Sequence, residues 1–119
     1  MSQILLVEDD ATMRVLLKTL LELDGHRVSL VSDTRQDILQ NVMDQKPDIL
    51  IMDVNLRYNN GIEILKDIRE HELSWKLHIL MTSGMDFRNE CEQAGADGFL
   101  MKPYMPDELS KQLKKVQSM

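Results

Sequence analysis

Cysteine is nearly missing: Cys91 stands alone in 119 residues, so no internal disulfide can form. Asn-x-Ser/Thr acceptor sites are missing altogether, and the two absences together fit a reducing cytoplasm. No apolar run approaches the ~20 residues that cross a bilayer. The amino-terminal MSQILLVED lacks a basic lead, an apolar stretch of signal length and a small-residue cleavage site, so neither membrane insertion nor export is expected. Positive charge is in deficit, with 14 Lys and Arg against 20 Asp and Glu and a net charge of −6. Most of such a surface repels a phosphate backbone, which argues against direct nucleic-acid binding. Neither G-x-G-x-x-G nor G-x-x-x-x-G-K-[ST] occurs, nor any repeat, linker or low-complexity tract. His26, His71 and His78 lack metal-ligand spacing and read as ordinary loop and helix-end residues.

What is present is an ordinary globular balance of 43% hydrophobic and 29% charged residues, in a length that suits one domain over residues 1–119 with a single buried core. Apolar runs alternate with helix-like segments in five strand–helix units: 3–8 then 11–25, 27–32 then 34–45, 47–53 then 60–72, 76–83 then 86–96, and 98–102 then 106–117. Met13, Leu16, Leu17 and Leu20 form an apolar stripe on the first helix, and Leu109, Leu113 and Val116 form one on the last. Residues 4–7 and 49–52 are continuously apolar rather than alternating, as in parallel strands covered on both faces. Repeated strand–helix order with short loops predicts right-handed crossovers and a doubly wound α/β sheet of five parallel strands flanked by five helices. Cys91, with Phe87 and Ala94 at helical steps, reads as a buried apolar residue.

Ligands of such sheets gather outside the carboxyl ends of the strands. Strand one ends in Glu8-Asp9, strand three in Asp53, strand four in Thr82-Ser83-Gly84 and strand five in Lys102-Pro103. Asp10, just before the first helix, suits an N-cap. Capping does not account for Glu8, Asp9 and Asp53 together, since carboxylates brought close raise one another's pKa unless a cation sits among them. Few carboxylates with room for water suit Mg²⁺. Successive strand residues face opposite ways, so only one of Thr82 and Ser83 can point at this site.

These residues resemble the receiver domain of two-component response regulators, and the likeness covers essentially the whole chain. The family's acidic pair matches Glu8-Asp9, with Arg14 five residues on; its phosphoacceptor matches Asp53 in DILIMDVNL; its strand-four hydroxyl matches Ser83, its strand-five aromatic Phe99, and its Lys-Pro pair Lys102-Pro103. The usual LPxxDG after the acceptor reads LRYNNG, with Arg57 for proline and Asn60 for aspartate, and Gly84 stands where alanine is commonest. The resemblance implies the CheY-like, flavodoxin-like strand order 2-1-3-4-5. It implies Asp53 as nucleophile toward a phosphohistidine or small acyl phosphate, and Mg²⁺ held by Asp9, Asp53 and the Asn55 backbone carbonyl, with Glu8 binding through water. Lys102, the Ser83 hydroxyl and the Gly84 N–H would contact phosphoryl oxygens. Such a domain promotes its own phosphorylation and dephosphorylation without being a conventional enzyme.

The partners so implied are a sensor histidine kinase or histidine phosphotransfer protein upstream and an effector protein or output domain downstream, with no direct contact to nucleic acid or membrane. Ser83 and Phe99 would form the switch, Phe99 being a core residue with two rotamers, and the readout face would be helix four, strand five and helix five. In the winged-helix class this face dimerises through an acid before the strand-five aromatic and an arginine in helix five. Gly98 and Gln112 occupy those positions, although Asp97 remains, so a dimer of that type is not expected. Three rivals are weaker. A flavin or nucleotide module wants a Ser/Thr/Gly-rich loop where this chain is acidic. A haloacid dehalogenase-type phosphatase wants an acid two residues beyond the nucleophile, where Asn55 stands. A degenerate receiver that only binds protein leaves the full set of Glu8, Asp9, Asp53, Ser83 and Lys102 unexplained.

Overall fold

The computed structural model describes residues 2–31 and 34–119. Five parallel strands, β1 (Gln3–Val7), β2 (Arg27–Leu30), β3 (Ile49–Asp53), β4 (His78–Ser83) and β5 (Gly98–Met101), lie in the order β2-β1-β3-β4-β5. They alternate with α1 (Ala11–Leu23), α2 (Arg35–Gln45), α3 (Gly61–Glu70), α4 (Arg88–Gln93) and α5 (Pro106–Gln117). This is the CheY-like, flavodoxin-like arrangement expected from the sequence.

Strand alternation splits the core into two layers. Leu5, Val7, Leu50, Met52, Ile79 and Met81 face one way, under α2, α3 and α4, and Phe99 joins them. Ile4, Leu6, Ile49, Ile51, Leu80 and Leu100 face the other way, under α1 and α5. β3 is buried along its whole length, which explains why its sequence shows no polar alternation.

Local chemistry sets the element ends. Asp10 accepts from the Met13 N–H at 3.0 Å and caps α1 as expected, and Asn60 does the same for α3 through the Ile62 N–H at 2.8 Å. Before α5, the Glu108 carboxylate accepts from the Met105 N–H, and Pro106 supplies a preset φ in the first turn. α2 ends at Lys46 in the left-handed region, and Pro47 bars continuation.

Four expectations need correction or limits. The stripe on α1 is rotated: Leu17 and Leu21 are its buried residues, Met13 and Leu20 are only partly covered, and Leu16 is exposed. A helix so rich in leucine offers several candidate stripes, and packing on β1 selects one. α4 is six residues long rather than spanning 86–96. A turn from the Phe87 N–H to the Met85 carbonyl delays its start, and Gly95, at φ +107°, ends it. His78 is not a loop or helix-end residue but opens β4 and is buried. Of the strand expected over 27–32, β2 covers Arg27–Leu30, and Ser32 lies outside the described residues.

Candidate functional site

Register brings the strand-end residues to one rim. Val7 pairs with Met52, so Glu8 emerges level with Asp53. Asp53 pairs with Thr82, which sets Ser83 one step beyond, and Ser83 pairs with Met101, which sets Lys102 beside it. The Lys102 N–H donates to the Ser83 carbonyl at 2.8 Å and fastens the β4 and β5 ends together.

Glu8 and Asp53 are buried, and ligand oxygens of Glu8, Asp9 and Asp53 all lie within 4.8 Å of one another. Such a group can hold a metal ion. The place already attracts positive charge: the Lys102 ammonium donates to Glu8 Oε2 at 2.9 Å and to Asp53 Oδ2 at 2.8 Å. Burial alone would lower the Lys102 pKa, but hydrogen bonds to Asp53 and Glu8 and the attraction of both carboxylates outweigh it, so the net displacement is upward. Lys102 is thus an internal counter-ion for two carboxylates that would otherwise repel each other.

The other expected residues gather around this pair. The Asn55 N–H donates to Asp53 Oδ1 at 3.3 Å. The Ser83 side chain is fully buried, and its hydroxyl oxygen accepts from Asn55 Nδ2 at 3.4 Å and from the Met85 N–H at 3.1 Å. Ser83, not Thr82, is therefore the hydroxyl that meets the Asp53 loop. Gly84 follows, and a Cβ there would meet nothing within 4 Å. Phe99 is 4% exposed, with the Arg88 guanidinium 5.8 Å from its ring centre. Phe99 points into the core layer under α2, α3 and α4.

Several contributors were missed in the sequence. A Cβ on Gly61 would lie 2.2 Å from the Asp53 carbonyl oxygen, so only glycine lets α3 begin against the strand end that carries Asp53. The glycine closing LRYNNG signals a turn, but the close approach is tertiary. The Asn55 side chain links Ser83 to the Asp53 loop, which no spacing rule suggests. Asp97 turns inward: its carboxylate accepts from Arg69 at 2.9 Å and from the Ile79 N–H at 2.8 Å, while Arg69 also donates to the Gly95 and Leu77 carbonyls. Cys91 is buried as expected, and its thiol is pushed up to about 11, first by burial and then by Glu90 and Glu92.

An acid-lined rim at the carboxyl end of a doubly wound parallel sheet, with an ammonium seated between the central-strand aspartate and its neighbour, places the chain among CheY-like α/β domains. More specifically, the chain belongs to the response regulator receiver domain family, whose sequence model matches residues 4–114. Among curated proteins it is 30% identical to the chemotaxis protein CheY of Thermotoga maritima over 96% of both chains. It is 34% identical to the KDP operon transcriptional regulatory protein KdpE of Escherichia coli over 96% of this chain and 50% of that one, and so spans about half of such longer regulators. Among solved structures it superposes on the chemotaxis response regulator CheY4 of Vibrio cholerae with a TM-score of 0.88 at 28% identity, covering 98% of each chain. No described helix is long and apolar enough to cross a membrane.

Proposed function

We propose that residues 1–119 form one phosphorylatable receiver domain that takes a phosphoryl group on Asp53 from a sensor histidine kinase or a histidine phosphotransfer protein. The observation that carries this reading is the Asp53 carboxylate itself: it ends the central strand, is buried, and shares a cationic group with Glu8 within a cluster of ligand oxygens. In the transfer, an Asp53 oxygen attacks phosphorus in line while the phosphorus–nitrogen bond to the donor imidazole breaks, and the imidazole leaves with the electron pair. Asp9, Asp53 and the Asn55 carbonyl would hold Mg²⁺, with Glu8 acting through water; the ion supplies positive charge against that developing on the phosphoryl oxygens. Lys102 turns its ammonium to a phosphoryl oxygen, the Ser83 hydroxyl and the Gly84 N–H donate to others, and Asp10 stays on the α1 cap.

Output follows from packing. Charge added at Asp53 draws Ser83 toward it and opens space beside β4 for Phe99, so the surface of α4, β5 and α5 changes for a downstream effector or output domain. Asp97 is committed to Arg69 within the chain, and Gly98 packs near Gln112 Oε1, which supports docking of a separate partner or monomeric output over an acid–base dimer. Upstream, a donor protein must contact the rim beside Asp53. α1 begins there and exposes Val15 and Leu16 along a shallow apolar groove with Ala11 and Thr19, a surface suited to apolar helices of such a donor. The single cysteine and the lack of Asn-x-Ser/Thr sites fit a cytoplasmic protein, and the net charge of −6 argues against nucleic-acid contact of its own.

Intact mass after incubation with acetyl phosphate tests the reading. One added phosphoryl group is expected with Mg²⁺, and none with a chelator or in Asp53→Ala. An unchanged wild-type mass would favour a receiver that only binds protein.

A further inference from the structure

Among the described residues, two buried side-chain polar atoms have no hydrogen-bond partner: His78 Nδ1 and the Tyr104 hydroxyl. His78 lies at the far end of the sheet from Asp53, and its Nδ1 is 4.0 Å from Asp97, beyond hydrogen-bond range. Tyr104 lies two residues past Lys102, at the rim. Its ring packs on the core layer under α1 and α5, and its hydroxyl feels the charges of Lys102, Glu8 and Asp53. Burial pushes its pKa up, Lys102 pulls it down, and Glu8 and Asp53 push it up again, leaving it at about 12. At neutral pH it is a phenol with a proton to donate and nothing to receive it. Native proteins rarely leave such a group idle.

Glu8 is the candidate acceptor. It is 3% exposed, with Oε1 accepting from the Asp10 N–H at 3.2 Å and Oε2 from Lys102 at 2.9 Å. Lys102 divides its ammonium between Glu8 and Asp53. When it serves a phosphoryl group on Asp53, Glu8 Oε2 loses its donor, and a buried carboxylate oxygen without a donor is costly. We propose that Tyr104 is a positioning residue of the loaded site: its hydroxyl donates to the Glu8 carboxylate once Lys102 has turned away, and so keeps Glu8 aimed at the cation. This rests on the phosphoacceptor reading above. The hydroxyl is then idle only in the unloaded protein, and one proton donor replaces another without any change in covalent bonding.

Tyr104→Phe removes the oxygen alone. Calorimetric titration with Mg²⁺, and with Mg²⁺ plus beryllofluoride as a phosphoryl mimic, is run on the wild type, on Tyr104→Phe and on Tyr58→Phe, a control at an exposed tyrosine. With beryllofluoride, Tyr104→Phe is expected to bind about three- to tenfold more weakly, the scale of one hydrogen bond. Tyr58→Phe should match the wild type. Without cation, the thermal midpoint of Tyr104→Phe should be unchanged or raised. In a Glu8→Gln background the Tyr104→Phe loss should shrink or vanish, because the acceptor charge is gone. Equal affinities in the wild type and Tyr104→Phe, an undiminished loss in the Glu8→Gln background, or a lowered midpoint without cation would each overturn the assignment while leaving the phosphoacceptor reading intact. A wild type that binds neither Mg²⁺ nor the mimic would overturn both.

Discussion

Replacing Lys102 by methionine keeps most of the apolar stem and deletes the charge that two buried carboxylates share. The ammonium lies 2.8 Å from Asp53 and 2.9 Å from Glu8. At an effective dielectric constant of about 20, each contact carries a gross attraction of about 6 kcal/mol, much of which is consumed by desolvation. Removing one partner of a buried pair costs about 3–5 kcal/mol. Since Lys102 keeps 23% exposure, solvent screening brings the expected loss of cation-free stability to about 2 kcal/mol. A divalent cation in the acidic cluster restores that positive charge and has no ammonium to displace. If the same amount is recovered on binding, Mg²⁺ affinity rises about thirtyfold. Chemical denaturation without cation and calorimetry with Mg²⁺ at pH 7 measure the two halves. The pH matters: a base whose pKa is raised in the folded state contributes stability that is fully present below about pH 10 and is lost as the pH climbs through the raised value. Neutral pH therefore reads the whole contribution. A Lys102→Met protein that binds Mg²⁺ no more tightly than the wild type would refute the view that this ammonium occupies the cation's place.

Asp10→Ala should lower stability by about 1 kcal/mol through the lost cap and leave Mg²⁺ affinity unchanged, whereas Asp9→Ala should abolish Mg²⁺ binding at neutral pH; the reverse pattern in calorimetry would shift the ligand assignment by one residue. Gly61→Ala forces a methyl against the Asp53 carbonyl, so a loss of at least about 2 kcal/mol and a slower gain of phosphoryl mass are expected, and a variant as stable as the wild type would contradict the packing described. Arg69→Ala strips three bonds that tie α3 to the starts of β4 and β5 and leaves Asp97 without its cation, for an expected loss of about 2–3 kcal/mol by denaturant midpoint; neutrality would mean that solvent replaces those contacts.

The sheet was readable from β1 and β3, whose apolar residues run unbroken because both faces are covered, and the acids at their ends break that pattern abruptly. The limits of α5 matched residue for residue, since Pro106 and the stripe Leu109, Leu113 and Val116 leave little freedom. α1 was harder: its many leucines satisfy more than one helical stripe, and only the contact of Leu17 and Leu21 with the sheet chooses among them. The site residues were visible as residue types at strand ends, but their bonding was not. That Lys102 bridges Glu8 and Asp53, that Asn55 reaches Ser83, and that the Tyr104 hydroxyl finds no hydrogen-bond partner among the described residues all depend on side chains far apart along the chain.

The bond between Lys102 and Glu8 joins residues 94 positions apart. During synthesis, Glu8 and Asp53 leave the ribosome well before the lysine that neutralises them. Until β5 has docked, Glu8 and Asp53 have no ammonium between them, so every shorter nascent chain carries an uncompensated acidic rim. Addition of β5 to the sheet and charge neutralisation of the rim then happen in one event. The late arrival of Lys102 makes the finished sheet a condition for a neutralised rim: a chain stalled or cleaved before residue 102 would carry Glu8 and Asp53 without the ammonium that bridges them.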